Sequence, residues 1–410
     1  MGTMLALCRA AAALLTTAAL ALSPSAAASP GHRDPGWRGA WAASPQAPTD
    51  RYAPNWSQRG FDDHTLRQVV RVTAGGDRVR IELSNRYGTA PLRIAGATLA
   101  RAARGGAVVP GSSRHLRFGG EESVTVPAGG TLHSDAVRFP VTPFESLTVT
   151  LRPAGPTGPA TFHQLAAATT YRATGDHRAD ESGAAFGETG RSWYYLSGVE
   201  VSGGPDAGRR DGVVALGDSL TDGAGSTPDA DNRYPDELAE LLAGAGRPRA
   251  VLNHGIGGNQ LLSDTSWAGE KGLTRFRKDV LTEPGVRTVV VLEGINDIGA
   301  GKDVSAERLI DGYRTLIGEA RARGLRVVGA TLLPVGGSRY GTPANEAVRD
   351  AVNHWIRTSG AYDAVADFDR AVADPADPDR ILPAYDSGDG LHPNDAGYRA
   401  MAAAVDPDLL

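Results

Sequence analysis

The chain has 410 residues, too many for one typical domain, and its 41% hydrophobic and 22% charged residues are those of a globular protein. A formal net charge of -5 excludes a broad basic surface for nucleic acid or anionic lipid. The single cysteine, Cys8, excludes a disulfide framework.

Residues 1–28 read as a secretory signal peptide. Arg9 gives a small positive region, residues 10–22 an apolar stretch, and Ser25-Ala26-Ala27-Ala28 the small residues for cleavage. The apolar stretch is shorter than the roughly 20 residues of a membrane span, and no later stretch is long enough. Cys8 precedes the apolar core, so a lipoprotein anchor is not expected. The mature chain would be exported, without stable membrane association, and held by its core alone.

Residues 29–54 are rich in Pro, Gly and Arg and are expected to wrap loosely onto the strands beyond them, with Trp37 and Trp41 as anchors. From about 65 to 201 the pattern is β. Residues 68–72 and 78–83 alternate polar and apolar at period two, and Ala74-Gly75-Gly76-Asp77 between them reads as a hairpin turn. Further short runs occur at 92–99, 116–118, 124–126, 136–139 and 147–151, divided by Gly/Pro turns. The stretch 171–190 is polar and Gly-rich, hence a loop. Residues 193–196 and 199–201 resume strand character. Short strands at this spacing predict a β-sandwich or jelly-roll over 29–201.

Residues 202–210 (Ser-Gly-Gly-Pro-Asp-Ala-Gly-Arg-Arg) read as a linker, and 211–410 as a second domain in which strands alternate with helices. Strands are predicted at 213–216, 250–253, 288–293, 326–331 and 364–368. Helices are predicted at 234–245, 305–323, 344–358 and 395–405. Leu309, Tyr313, Leu316, Ile317 and Ala320 share one face of the clearest helix. Ser305 caps its start, but Arg308 stands where a capping box has an acid. The alternation implies a parallel, doubly wound α/β sheet.

Three strand ends carry residues that can do chemistry. Gly217-Asp218-Ser219-Leu220 follows the first strand, where open parallel sheets place their ligands. A serine hydroxyl becomes a nucleophile only beside a base, and the base needs a third group to hold its tautomer. Among nine histidines, His392 stands out in Gly388-Asp389-Gly390-Leu391-His392-Pro393. Within one turn, Asp389 can reach its Nδ1 while Nε2 points outward. Asn253-His254-Gly255-Ile256-Gly257-Gly258-Asn259 and Gly294-Ile295-Asn296-Asp297 follow the second and third strands. A backbone N–H near Gly258 and the Asn296 side-chain amide are donors of the kind that stabilise an oxyanion. Turn formation is the plain alternative for each stretch. For Asn253, His254 and Asn259 that alternative is preferred, and Glu293 and Asp297 are expected to brace the loop.

Together these stretches resemble the SGNH hydrolases, the GDSL esterase/lipase family, over 211–410. Gly-Asp-Ser-Leu with Ser219 matches the first block, Gly258 the second, Gly294-x-Asn296-Asp297 the third and Asp389-x-x-His392 the last. The second block departs from the family pattern, with Gly257-Gly258-Asn259 where many members have Ser-Gly-Asp. The backbone donor can therefore be assigned to Gly257 or Gly258. The resemblance implies a flavodoxin-like α/β/α sandwich and carboxylester hydrolysis without a cofactor or metal. It makes Ser219 the nucleophile, His392 the base and Asp389 its orienting acid. The oxyanion hole would be the Ser219 and Gly258 amides with the Asn296 side chain.

No metal-binding pattern is visible, and the Asp-rich run 374–379 reads as solvated loop. The polar loop 224–233 after the nucleophile offers no apolar lid for a long acyl chain. That favours short acyl, chiefly acetyl, esters of polysaccharide or other polar alcohols, hydrolysed by a secreted monomer. A broad-specificity lipase or arylesterase is the alternative. A non-catalytic carbohydrate-binding protein is the alternative of another class, with Trp193, Tyr194 and Tyr195 as aromatics able to stack on sugars or to pack in a strand.

Overall fold

The computed structural model describes residues 36–410 except Tyr52, Lys302 and Asp303, and these fall in one compact unit. The expected signal peptide lies outside the described residues. Among those residues no helix is long and apolar enough to cross a membrane.

The N-terminal region is a β-sandwich built from two large antiparallel sheets, with Phe162–His163 and Trp193–Tyr194 paired as a third, two-stranded one. One runs in the order Trp37–Ala42, Leu196–Ser202, Gly76–Ser84, Thr131–His133, with Val137–Val141 also on Gly76–Ser84. The other runs Glu188–Gly190, Thr170–Thr174, His64–Arg71, Ser146–Pro153, Leu92–Arg101, Arg114–Leu116, with Val124–Val126 also on Leu92–Arg101. Inward residues of both sheets, such as Val79, Ile81 and Val199 from the first and Leu66, Leu99, Leu147 and Leu151 from the second, form one apolar core.

The structure departs from expectation at several places. The strands either side of Ala74–Asp77 are not a hairpin: His64–Arg71 and Gly76–Ser84 belong to different sheets. Period-two alternation tells which face of a strand is buried but not which strand it pairs with. Gly76 serves close packing instead, since a Cβ there would lie 2.9 Å from that of Val201. Residues 171–190 are not all loop, because Thr170–Thr174 and Glu188–Gly190 pair antiparallel. Thr170 and Arg172 are buried polar residues on the first, and Arg172 bonds Glu188 at 2.6 Å and lies over the Trp56 ring, so apolar alternation does not mark these strands. Trp37–Ala42 is an integral strand, paired antiparallel with Leu196–Ser202 across a register shift between Gly39 and Trp41, rather than a loose wrap. The run 374–379 also differs: Ala373–Asp374 pairs with Asp377–Ile381 in a small hairpin.

The C-terminal part is a doubly wound α/β domain, as the alternation of strands and helices predicts. Its five-stranded parallel sheet runs Val251–Gly255, Gly212–Gly217, Val286–Leu292, Arg326–Ala330, Ala364–Ala366. In sequence order this is 2-1-3-4-5, whose direction reverses between the first and third strands, the crevice where such sheets bind ligands. The strand Gly212–Gly217 is buried along its whole length, as a sheet covered on both faces requires. Helices Tyr234–Gly244, Ala306–Ala322, Pro343–Thr358 and Asp395–Ala403 flank the sheet. The stripe from Leu309 to Ala320 is buried in the core, and the Ser305 side chain accepts the Arg308 N–H, half of a capping box.

Candidate active site

The strand Gly212–Gly217 ends in a turn with little freedom. A Cβ at Gly217 would overlap Thr221 Oγ1 and lie 2.6 Å from the Leu292 carbonyl oxygen, so only glycine lets the chain pass. Asp218 caps the four-residue helix Ser219–Asp222 by accepting the Leu220 N–H at 3.0 Å. Burial, with Asp297 nearby, pushes the Asp218 carboxyl up to about 7. Ser219 opens the helix, so its own N–H has no acceptor within it.

Asp389 and His392 reach Ser219 from a loop closed by the Asp386–Pro393 bridge. Asp389 Oδ1 accepts the amides of Leu391 (3.0 Å) and His392 (2.8 Å), and Oδ2 lies 2.6 Å from His392 Nδ1. The His392 ring hydrogen bond and these amides hold Asp389 well below the usual carboxylate range. An ionised Asp389 requires the hydrogen on Nδ1, so Nε2 presents its lone pair to the Ser219 hydroxyl at 2.9 Å. The arrangement can take the serine proton and return it to a leaving group.

On the other side, Gly258 and Asn296 line one cavity of about 410 Å³ with Arg51, Gln260, Trp267 and Tyr340. The Gly257 amide donates to Asp222 Oδ2 at 2.8 Å, whereas the Gly258 amide has no acceptor among the described residues. Gly258 has φ +77°, and a Cβ there would overlap the Trp267 ring. Tyr340 donates its hydroxyl to Asn296 Oδ1 (3.2 Å), which turns the NH₂ end toward the Asn259 carbonyl (3.0 Å) and Asp218 Oδ2 (3.2 Å). The structure thus joins Ser219, His392 and Asp389 by direct hydrogen bonds and brings Gly258 and Asn296 to one wall.

Residues 215–400 match the model of the GDSL-like lipase/acylhydrolase family. The chain carries a GDSL-like lipase/acylhydrolase domain. It is a hydrolase, and the family matched by residues 215–400 acts on ester substrates. Among solved structures, the domain is similar to a G-D-S-L-family protein from Desulfitobacterium hafniense DCB-2 (23% identity, 48% of this chain and 98% of that one, TM-score 0.38). It is also similar to a carbohydrate acetylesterase family member from Sinorhizobium meliloti (17%, 48% and 96%, TM-score 0.40) and an aryl esterase from M. smegmatis (16%, 47% and 95%, TM-score 0.38). None of the curated proteins matches the chain.

Several residues that shape the acylhydrolase site carry no local sequence signal. Arg275, fully buried, donates to the carbonyls of Gly217 (3.0 Å) and His254 (2.9 Å) and to Asn259 Oδ1 (3.0 Å), tying the ends of the first two strands. It pairs with Glu293 at 3.1 Å and Asp279 at 3.3 Å. Burial pushes Glu293 well above its ordinary value. Asp297 accepts the amides of Leu261 (2.7 Å) and Leu262 (2.9 Å), so Glu293 and Asp297 both brace loops. His254 contacts Ser44 Oγ and Glu283 through its two ring nitrogens, so it is engaged away from the nucleophile. Two further clusters of metal-ligating type, Glu82/His133/Glu200 and Glu346/Asp350/Asp379, are knit by Arg80 and Arg349.

Proposed function

We propose that this hydrolase is a secreted serine esterase that works through an acyl-enzyme on short-chain acyl, chiefly acetyl, esters of polysaccharide or other polar alcohols. The observation that carries the reading is the Ser219 hydroxyl 2.9 Å from His392 Nε2, with Asp389 on the opposite ring nitrogen. Ser219 Oγ attacks the ester carbonyl as His392 takes its proton, and Asp389 stabilises the imidazolium. The Ser219 and Gly258 amides and one Asn296 Nδ2 hydrogen meet the oxyanion. The other Asn296 hydrogen stays on the Asn259 carbonyl. His392 then protonates the departing alkoxide, and water repeats the cycle on the acyl-enzyme.

The walls of the site support a small, polar substrate. The cavity beside Gly258 and Asn296 is lined by polar and aromatic side chains, without an aliphatic groove. The loop 224–233 is pinned by Asp395, which accepts the Thr227 amide (2.7 Å) and the Asn232 side chain (3.0 Å), and so makes a poor apolar lid. Trp193, Tyr194 and Tyr195 are buried in the sandwich core, which removes them as a platform for sugars and weakens the carbohydrate-binding alternative. The test is turnover of acetyl and palmitoyl esters and of acetylated xylan by the wild type and Ser219→Ala. The expected result is faster turnover of the acetyl esters and a loss of roughly 10⁴-fold or more in the variant. Faster turnover of palmitoyl esters would refute the short-chain assignment.

A further inference from the structure

His163 lies in the β-sandwich region, on the short strand Phe162–His163, and is 3% exposed. Its Nδ1 is 2.9 Å from the Ser44 carbonyl oxygen and its Nε2 is 3.0 Å from Asp222 Oδ1. A carbonyl only accepts, and so does a carboxylate, so both ring nitrogens need a hydrogen unless Asp222 supplies one. Either way the pair holds one proton more than a neutral imidazole beside a carboxylate. Asp222 ends the helix that Ser219 begins, and its other oxygen accepts the Gly257 amide at 2.8 Å. The two loops touch directly: Asn253 donates to the Thr221 carbonyl at 2.8 Å, and a Cβ on Gly255 would overlap Asp222.

We infer that His163 is a positioning residue for the esterase reaction: the protonated His163–Asp222 pair holds the Gly257–Gly258 turn so that the Gly258 amide faces the oxyanion. The inference rests on the serine-esterase reading and goes beyond it, because it makes the β-sandwich region part of the catalytic apparatus. When the pair loses its proton, the remaining ring hydrogen stays on Nε2 toward Asp222 and a lone pair on Nδ1 faces the Ser44 carbonyl, so the ring loses its tether to Ser44 and its hold on Asp222 and the Gly257 amide loosens. Arg233, at the head of the helix Tyr234–Gly244 and itself tied to Asp236 at 2.6 Å and Asp231 at 3.9 Å, also faces the pair, and the buried Tyr398 lies near Asp222. The Trp193 ring covers the imidazole at 5.5 Å. Burial lowers the His163 pKa, but the Asp222 carboxylate outweighs it and the net direction is upward. The contribution of the pair is therefore complete below the ordinary histidine value of about 6.5 and is lost as pH rises through the higher folded value.

The test is kcat and KM against pH on an acetyl ester for the wild type, His163→Gln, Asp222→Asn and Ser219→Ala. His163→Gln keeps an N–H for Asp222 but does not titrate. The expected result is kcat lowered about 10- to 100-fold with KM little changed. The alkaline fall of the wild-type kcat should be absent in the variant. A folded His163→Gln with wild-type kcat, or with the same alkaline fall, overturns the inference. If that variant does not fold, Asp222→Asn is read by the same two criteria. A wild-type kcat that stays flat to about pH 10 overturns the inference without any variant. Failure of the esterase reading looks different: the wild type does not turn over, or Ser219→Ala keeps full activity, and the inference then falls with it.

Discussion

On one side of Ser219, Asp389 and His392 come from a single loop, three residues apart, and the Asp389 side chain is 53% exposed. On the other, Gly258 and Asn296 come from two loops held together by side chains that reach across the fold: the buried Arg275, Asp297 and His163–Asp222 pair, and the half-buried Tyr340. The first side is assembled by local hydrogen bonds and needs little from the rest of the chain. The second depends on tertiary packing, including residues of the β-sandwich. Damage to the first should therefore slow the reaction with little effect on folding, and damage to the second should affect both.

Asp389→Asn gives the largest separation of the two effects. It removes the group that fixes the His392 tautomer, so kcat should fall by about 10³- to 10⁴-fold. The melting temperature should hardly move, because an exposed carboxylate is well screened. Asp389 lies below the ordinary carboxylate range, so its small contribution to stability is present above about pH 4 and lost only as pH falls through the folded value. Asn296→Ala should lower kcat by roughly 10²- to 10³-fold with KM nearly unchanged. It should also lower stability by about 1–3 kcal/mol, since Tyr340, Asn259 and Asp218 lose a buried partner. Equal shifts in melting temperature for the two variants would erase the contrast. Tyr340→Phe is the mildest: it frees Asn296 Oδ1, and kcat should drop by no more than about 2- to 10-fold. A drop as large as that of Asn296→Ala would mean that Tyr340 acts on substrate directly.

The same contrast governs what could be read from the residue order. The strands at Gly212–Gly217, Val286–Leu292 and Arg326–Ala330 and the helix Ala306–Ala322 were legible because apolar runs and a 3.6-residue stripe signal buried parallel strands and amphipathic helices. Ser219, Asn296, Asp389 and His392 stood out because they occupy turns at strand ends or before the last helix. Asp222, His163 and Arg275 did not. Each is a buried polar side chain whose partner is far along the chain, and periodicity carries no information about such pairings. Asp222 lies three residues after Ser219, yet its position alone gives no hint that His163, 59 residues upstream, sits 3.0 Å away. The tie between Asp222 and the Gly257 amide, which bears on the choice between Gly257 and Gly258, was likewise invisible in the residue order. In the sandwich, alternation located many strands but misassigned the connection at Ala74–Asp77, since inward faces look alike whichever sheet they belong to.

The central claim is that Ser219 carries the acyl group during turnover. Labelling the folded protein with a fluorophosphonate and mapping the adduct by peptide mass spectrometry tests it directly. The expected result is one adduct, on Ser219, absent from Ser219→Ala and slowed in Asp389→Asn. An adduct on a different residue, or none on protein that hydrolyses an acetyl ester, would contradict the account.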